Sequence, residues 1–112
     1  MVQCHESRCV KKTQVARARH TFGMTAILVL TTLAAGDADR FARLIIEERL
    51  AACVQALPGL RSTYRWDGEV QQSTETLLMI KTVADRYAAL ERWLSAHHPY
   101  ELPEILAVDA SA

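Results

Sequence analysis

The sequence predicts an α+β domain of order β-α-β-β-α-β, in which a long central hairpin joins two β-α-β units. A continuous apolar run at residues 26–32 predicts the first strand, and two later segments repeat apolar residues at helical spacing. An Asp67-Gly68 pair between two strand-like segments is typical of a tight hairpin turn. Two β-α-β units with a hairpin between them form the ferredoxin-like sandwich.

The first strand and helix follow from the apolar pattern. Residues 26–32 show no polar alternation, which predicts a central strand buried on both faces of its sheet. Asp37 is a candidate N-cap, because its carboxylate can accept a hydrogen bond from the first helical turn. Ala38, Phe41 and Ile45 then recur at spacings of three and four, which predicts an amphipathic helix over residues 37–51.

The central hairpin is predicted from residues 53–65 and 69–83. Proline cannot donate to a β-ladder, so Pro58-Gly59 marks a bulge or bend within the outgoing strand. The returning strand is mostly polar over residues 70–76 and then solidly apolar over residues 77–80. This change predicts that only the second half of the returning strand lies in the core.

A second helix and a short last strand complete the order. Asp85 is a candidate N-cap, and Pro99 ends the helix because proline disfavours a helical residue before it. Residues 104–108 are apolar enough for a last strand. One face of this helix carries the following residues: Tyr87, Leu90, Trp93, Leu94 and His97.

The length of the hairpin predicts self-association. A strand over residues 53–65 extends about 40 Å, whereas a helix over residues 37–51 extends only about 22 Å. The distal hairpin therefore overhangs its helices and exposes the rings of Tyr64 and Trp66. Exposed strand edges are normally paired, and another copy of the chain is the simplest partner. The alternative is a free hairpin arm surrounded by solvent.

Composition and charge argue against several classes of protein. The chain has 112 residues and no formal net charge, but residues 1–23 carry five basic side chains against one acidic. The remainder is mildly acidic, which argues against nucleic-acid binding. No apolar run approaches the roughly 20 residues of a membrane span. Three cysteines are an odd count, which fits a reducing cytoplasm better than a disulfide framework.

The predicted domain begins at Met24, and residues 1–23 show no periodicity that continues into it. We expect a flexible N-terminal extension, either tag-like or the product of a start codon assigned too early. A functional basic tail or a targeting arm is the alternative. Cys4 and Cys9, with His5 between them, lack the spacing of a structural zinc site.

Four segments together resemble the CutA family of divalent-cation tolerance proteins. The segments are Glu47-Glu48-Arg49-Leu50-Ala51-Ala52-Cys53-Val54, Leu57-Pro58-Gly59, Tyr64-Arg65-Trp66-Asp67-Gly68 and His97-His98-Pro99-Tyr100-Glu101-Leu102-Pro103-Glu104. The resemblance implies a ferredoxin-like homotrimer in which the long hairpins pair between subunits. It also implies a further C-terminal strand and helix, so the domain over residues 24–112 is expected to be C-terminally truncated.

The resemblance implies that His97 and His98 are metal ligands, with a divalent cation such as Cu²⁺ as the ion. Some members carry a further cysteine ligand, but the matching residue here is Thr31, a poor ligand for copper. Neighbouring helical side chains point about 100° apart, so the two histidines cannot easily chelate one ion. A histidine packed in the core or an interface is the alternative, and Glu101 or Glu104 are candidate additional ligands.

The remaining candidates concern a cleft between subunits. Tyr64, Trp66 and Tyr100 are expected in such a cleft or in ordinary core packing, since aromatic residues are enriched in both. Cys53 is expected at the interface or as a small buried apolar residue.

The sequence contains no phosphate-binding glycine loop and no complete catalytic constellation. The resemblance implies a cytoplasmic homotrimer that responds to metal ions, and without a catalytic constellation we expect it to act by binding rather than catalysis. No cofactor is certain, and Cu²⁺ or another divalent cation is the candidate. A small-molecule sensor like the trimeric P-II signalling proteins, or a structural scaffold, are the alternatives.

Overall fold

The computed structural model describes residues 12–13 and 25–110. The elements in chain order are β1 (Lys12–Thr13), β2 (Ala26–Leu33), α1 (Ala35–Glu47), β3 (Cys53–Trp66), β4 (Glu69–Val83), α2 (Ala84–His97) and β5 (Leu106–Asp109). The predicted extension over residues 1–23 lies outside the described residues except for β1. The ferredoxin-like α+β order β-α-β-β-α-β is confirmed from β2 onward.

The strands form one sheet in the order β1-β5-β2-β4-β3. β2 pairs antiparallel with both β4 and β5, which confirms its predicted central position. β3 pairs antiparallel with β4, and β1 pairs in parallel with β5. Both helices lie on one face of this sheet, because their buried residues join β2 and β4 in a single core.

The core lies between the helices and that face of the sheet. Phe41 and Ile45 of α1 and Leu90 and Leu94 of α2 are at most 1% exposed. Burial of a large apolar side chain contributes about 1.5–3 kcal/mol, so these four anchor both helices. The strands supply the following buried side chains: Val29, Leu33, Leu78, Ile80 and Ala107.

The opposite face of the sheet is apolar but incompletely covered. Leu28 and Leu30 of β2 and Leu77 and Met79 of β4 are half-buried, and Leu57 of β3 is 50% exposed. The prediction that the first strand is buried on both faces is therefore wrong for the single chain. The two helices of the described residues pack on the other face, so nothing in them covers these side chains.

The hairpin follows its turn chemistry. Trp66 pairs with Glu69, which leaves a two-residue loop of Asp67 and Gly68. Both loop residues have positive φ, 59° and 82°, as a type I′ turn requires. The predicted bulge is also present, since the β3–β4 register shifts between Leu57 and Leu60.

The helix ends differ from the prediction. α1 begins after Ala34 rather than at Asp37, and α2 begins after Val83 rather than at Asp85. Neither helix has a side-chain cap. At α2, strand β4 runs directly into the helix, and the carbonyl of Thr25 accepts the N–H of Ala84 at 2.9 Å. α1 ends at Glu47 rather than at residue 51. The described helices include none long and apolar enough to cross a bilayer.

Candidate functional site

Polar side chains meet at the end of the sheet where β2 stops. Leu33 pairs with Thr76 as the last pair of the β2–β4 ladder, so Glu75 lies just beyond the end of β2. The chain that follows α2 lies beside Glu75 at this point and places Tyr100 against it. We call the group Thr31, Ser62, Glu75, His98 and Tyr100 the polar cluster.

His98 is the most enclosed titratable side chain of the polar cluster apart from Glu75, with 8% of its surface exposed. It follows α2 directly, and its Nδ1 accepts a hydrogen bond from the backbone N–H of Tyr100 at 3.1 Å. The ring proton therefore belongs on Nε2, which lies 3.1 Å from the carbonyl oxygen of Thr32 and 3.2 Å from Oγ1 of Thr31. Both ring nitrogens of His98 are thus engaged within the protein.

The surroundings of His98 favour the neutral imidazole. Burial lowers the pKa of His98 to about 4, although the Thr32 carbonyl acts in the opposite direction. Aromatic rings enclose it, with Phe41 edge-on at 6.0 Å and Tyr100 tilted at 4.8 Å between ring centroids. His98 is therefore a structural group of the polar cluster at neutral pH.

Glu75 is a buried carboxylate held by two hydroxyl groups. Ser62 donates to Oε1 and Tyr100 donates to Oε2, both at 2.6 Å. Burial and the hydrogen bond to Glu75 raise the pKa of Tyr100, so its hydroxyl keeps its proton. Burial, followed by the charge of Glu75, raises the pKa of Glu104. The arrangement is a compact set of donors and carboxylates at the rim of the core.

His97 has the opposite character. Its ring is exposed and stacks on Trp93 at 4.4 Å between centroids, with 22° between the ring planes. Nδ1 lies 2.9 Å from the carbonyl oxygen of Trp93, so Nδ1 carries the proton and donates. Nε2 therefore keeps a free lone pair on the side of the ring away from that hydrogen bond.

The two predicted metal ligands consequently do not converge on one point. His97 offers one free nitrogen to solvent, whereas His98 uses both nitrogens inside the protein. Among the described residues, no three His, Cys, Asp or Glu side chains are grouped closely enough to hold a metal ion. Metal binding by these histidines stays a prediction.

The predicted cleft residues separate into different regions. Tyr64 follows Ser62 by two residues in β3, so the two side chains lie on the same face of the strand. Trp66, which is 43% exposed, lies at the tip of the hairpin beside the Asp67-Gly68 turn. Cys53 is in register with Lys81 at the opposite end of the sheet. The structure therefore places Tyr64 on the same strand face as Ser62 of the polar cluster, and it leaves Trp66 and Cys53 apart from that cluster.

Sequence reasoning missed Glu75 and Ser62. The available signal was the hairpin register, because the two-residue turn pairs Ser62 with Ser73 and so makes Glu75 its diagonal neighbour. Glu75 also stands at the boundary between the polar and apolar halves of β4, and a carboxylate at such a boundary was a second signal. No sequence pattern indicated that Tyr100, 25 residues further on, donates to Glu75.

Comparison with known proteins identifies the family. The family model described as CutA1 divalent ion tolerance protein matches residues 26–112. The chain belongs to the CutA family. The divalent-cation tolerance protein CutA of Thermus thermophilus is 42% identical over 85 residues, which are 76% of this chain and 82% of that protein.

Solved CutA structures have the same fold. CutA1 from Oryza sativa is 38% identical with a TM-score of 0.77, and the match covers 80% of this chain and 84% of that one. A Nostoc structure described as a PII-like protein CutA, in apo form, is 37% identical with a TM-score of 0.72. That match covers 75% of this chain and 80% of the Nostoc chain. The resemblance noted from the sequence motifs is confirmed.

Proposed function

We propose that this CutA protein is a cytoplasmic homotrimer that contributes to divalent-cation tolerance by binding a divalent metal such as Cu²⁺, without catalysing a reaction. The names of its relatives supply the tolerance role. The observation that carries metal binding is the orientation of His97. Metal-binding histidines usually donate their second ring N–H to a carbonyl or carboxylate, as Nδ1 of His97 does to Trp93.

One imidazole does not make a selective metal site, so the remaining ligands must come from elsewhere. Glu101 is exposed and four residues away in the chain, and a neighbouring subunit could add an equivalent set. Nitrogen and carboxylate ligands together suit Cu²⁺. His98 contributes indirectly, since it fixes the chain that follows α2 through the N–H of Tyr100.

Assembly is supported by the uncovered face of the sheet. Leu28, Leu30 and Leu57 lie on a contiguous apolar surface that no helix of the described residues covers. Such surfaces on soluble proteins usually mark interaction sites. The distal hairpin adds exposed Trp66 and Val70, which are 43% and 65% exposed. A three-fold assembly of identical chains would bury both features.

The metal proposal is tested by titrating Cu²⁺ into the protein in a calorimeter. Cys4→Ser, Cys9→Ser and Cys53→Ser should be present throughout, because free thiols bind and reduce copper. We expect His97→Ala to weaken binding by about tenfold or more. His98→Gln is the matched control and should leave the affinity within a few-fold. Equal Cu²⁺ affinity for the parent and His97→Ala would refute the role of His97.

A PII-like sensor of small molecules is the second candidate. The observation that favours it is the polar cluster, a set of hydrogen-bonded groups around the buried Glu75 at the edge of the core, with Glu104 close to Glu75. The description of the Nostoc structure as PII-like agrees with this candidate. Calorimetric binding of a nucleotide that is lost in Glu75→Gln but retained in His97→Ala would support it. A purely structural scaffold would bind neither class of ligand.

A further inference from the structure

An open surface pocket of about 370 Å³ lies at the end of the sheet opposite the polar cluster. It forms where α1 ends, β3 begins and β4 continues into α2. Its size is within the range of small-molecule sites. The pocket is lined by the following residues: Arg49, Ala51, Ala52, Lys81, Thr82, Val83 and Arg86. We call it the basic pocket.

The charged side chains that line the basic pocket are all positive, and most of the surface of the pocket is apolar. Arg49, Lys81 and Arg86 contribute three cations, and no acidic side chain is among the lining residues. In the part of the chain that the structure describes, ion pairs form at Arg40 and Arg43, and none forms at these three. Like charges around one pocket repel each other, and a bound anion would replace that repulsion with attraction.

Arg49 occupies a backbone position that glycine would normally take. It follows α1 with a φ of 60°, its N–H bonds to the carbonyl of Ile46, and the N–H of Leu50 bonds to the carbonyl of Ile45, both at 3.0 Å. This is the helix-terminating arrangement in which glycine is favoured because it lacks a Cβ. The chain thus accepts a strained residue at a position that lines the basic pocket.

The walls of the basic pocket are tied together by the backbone. The N–H of Ala52 donates to the carbonyl of Lys81 at 3.0 Å, and the hydroxyl of Thr82 donates to the carbonyl of Leu50 at 2.8 Å. The short side chains of Ala51 and Ala52 leave space between these walls. The backbone around the basic pocket is therefore held in place, and the exposed side chains of Arg49, Lys81 and Arg86 extend from it.

The start of α2 also borders the basic pocket. Val83 lines the basic pocket and is the N-cap of this 14-residue helix, without a side-chain cap. Asp85 in the first turn offsets the positive end of the helix dipole, and the N–H of Ala84 is already paired with the carbonyl of Thr25. The positive potential at the basic pocket therefore comes from the three side chains.

We propose that the basic pocket binds the phosphate or diphosphate group of a small phosphorylated molecule. Arginine presents a planar set of donors that matches phosphate oxygens, and lysine adds a point charge. The three cations then complement a multiply charged anion rather than a carboxylate with a single charge. This site is separate from the proposed metal site, because the basic pocket and His97 involve opposite ends of α2.

The test is calorimetric titration of the full-length protein with pyrophosphate in metal-free, low-salt buffer. We expect Lys81→Gln and Arg86→Gln each to weaken binding about tenfold or more, since each removes a charge-assisted contact. Arg92→Gln is the matched control, because it removes an exposed charge from α2 outside the basic pocket. Its affinity should remain within about twofold of the parent.

Two results would overturn the proposal. One is the absence of pyrophosphate binding to the parent protein at millimolar concentration. The other is equal weakening by Arg92→Gln and by the two pocket variants, which would indicate a general charge effect. Because the buffer contains no metal, neither result bears on Cu²⁺ binding at His97. Circular dichroism spectra should match the parent, since Lys81, Arg86 and Arg92 are all exposed.

Discussion

Replacement of His98 by glutamine should reduce the loss in the free energy of unfolding that the protein shows as the pH falls. His98 is buried with a pKa of about 4, whereas an unfolded chain returns histidine to a pKa of about 6.5. As the pH falls, His98 therefore binds a proton in the unfolded state at a higher pH than in the folded state. Stability from the neutral ring is fully present above pH 6.5 and is lost progressively down to pH 4.

The magnitude follows from the two pKa values. Each pKa unit corresponds to about 1.4 kcal/mol, so the full effect of His98 is about 3 kcal/mol. Between pH 7 and pH 5 the linkage relation gives a loss of about 2 kcal/mol. Glutamine cannot take up this proton, and its amide can still accept from the N–H of Tyr100. The difference in unfolding free energy between the two pH values should therefore shrink by about 2 kcal/mol in His98→Gln.

The assay is urea unfolding at pH 7, 6 and 5, followed by circular dichroism at one fixed protein concentration. Comparison between variants is needed because Glu104, whose pKa is raised by burial, contributes to the pH dependence with the opposite sign. His97→Gln is the matched control, since it changes an exposed neighbouring histidine. If His98→Gln loses as much stability as the parent between pH 7 and pH 5, the reasoning about His98 is wrong.

Three further predictions concern the carboxylate, the hairpin and the basic pocket. Tyr100→Phe should lower the free energy of unfolding by about 1.5–3 kcal/mol in urea, because Glu75 loses a hydroxyl donor; an unchanged midpoint would contradict this. Trp66→Ala or Val70→Asp should shift light scattering from a trimer towards smaller species; a stable parent monomer at micromolar concentration would exclude the trimer. Arg49→Gly should raise thermal stability by up to about 1 kcal/mol by relieving the positive φ, while weakening pyrophosphate binding; destabilisation would contradict the strain argument.

Local chemistry explains why the hairpin was predictable. The Asp67-Gly68 turn and the Pro58-Gly59 bulge depend on the backbone freedom of glycine and the missing N–H of proline, and both effects act within a few residues. The helices were predictable in position because apolar spacing reports which side faces a core. The ends of the helices were less predictable than their positions. α1 ends close to Arg49, which has a positive φ, and nothing about an arginine in the sequence indicates such a conformation.

The candidate sites, like the helices, could be predicted from the sequence only in part. The sequence motifs identified the CutA family, and they drew attention to His97, His98 and Tyr100 before any geometry was known. The motifs treated the two histidines alike, whereas the structure separates an exposed ring with a free nitrogen from a buried ring with none. Adjacent residues at a helix end can face solvent and core respectively, and only the packing around them shows which does so.

The sequence by itself determined the order of elements from β2 onward, the turn, the bulge and the family, because each depends on local backbone preferences or on motifs in short stretches of chain. The tertiary structure alone decided which polar groups meet. Thr31 and His98 are 67 residues apart, and Glu75 and Tyr100 are 25 apart. The basic pocket likewise joins Arg49 to Lys81 and Arg86. Such pairings depend on how the sheet and helices pack, and packing is a property of the whole chain rather than of any segment.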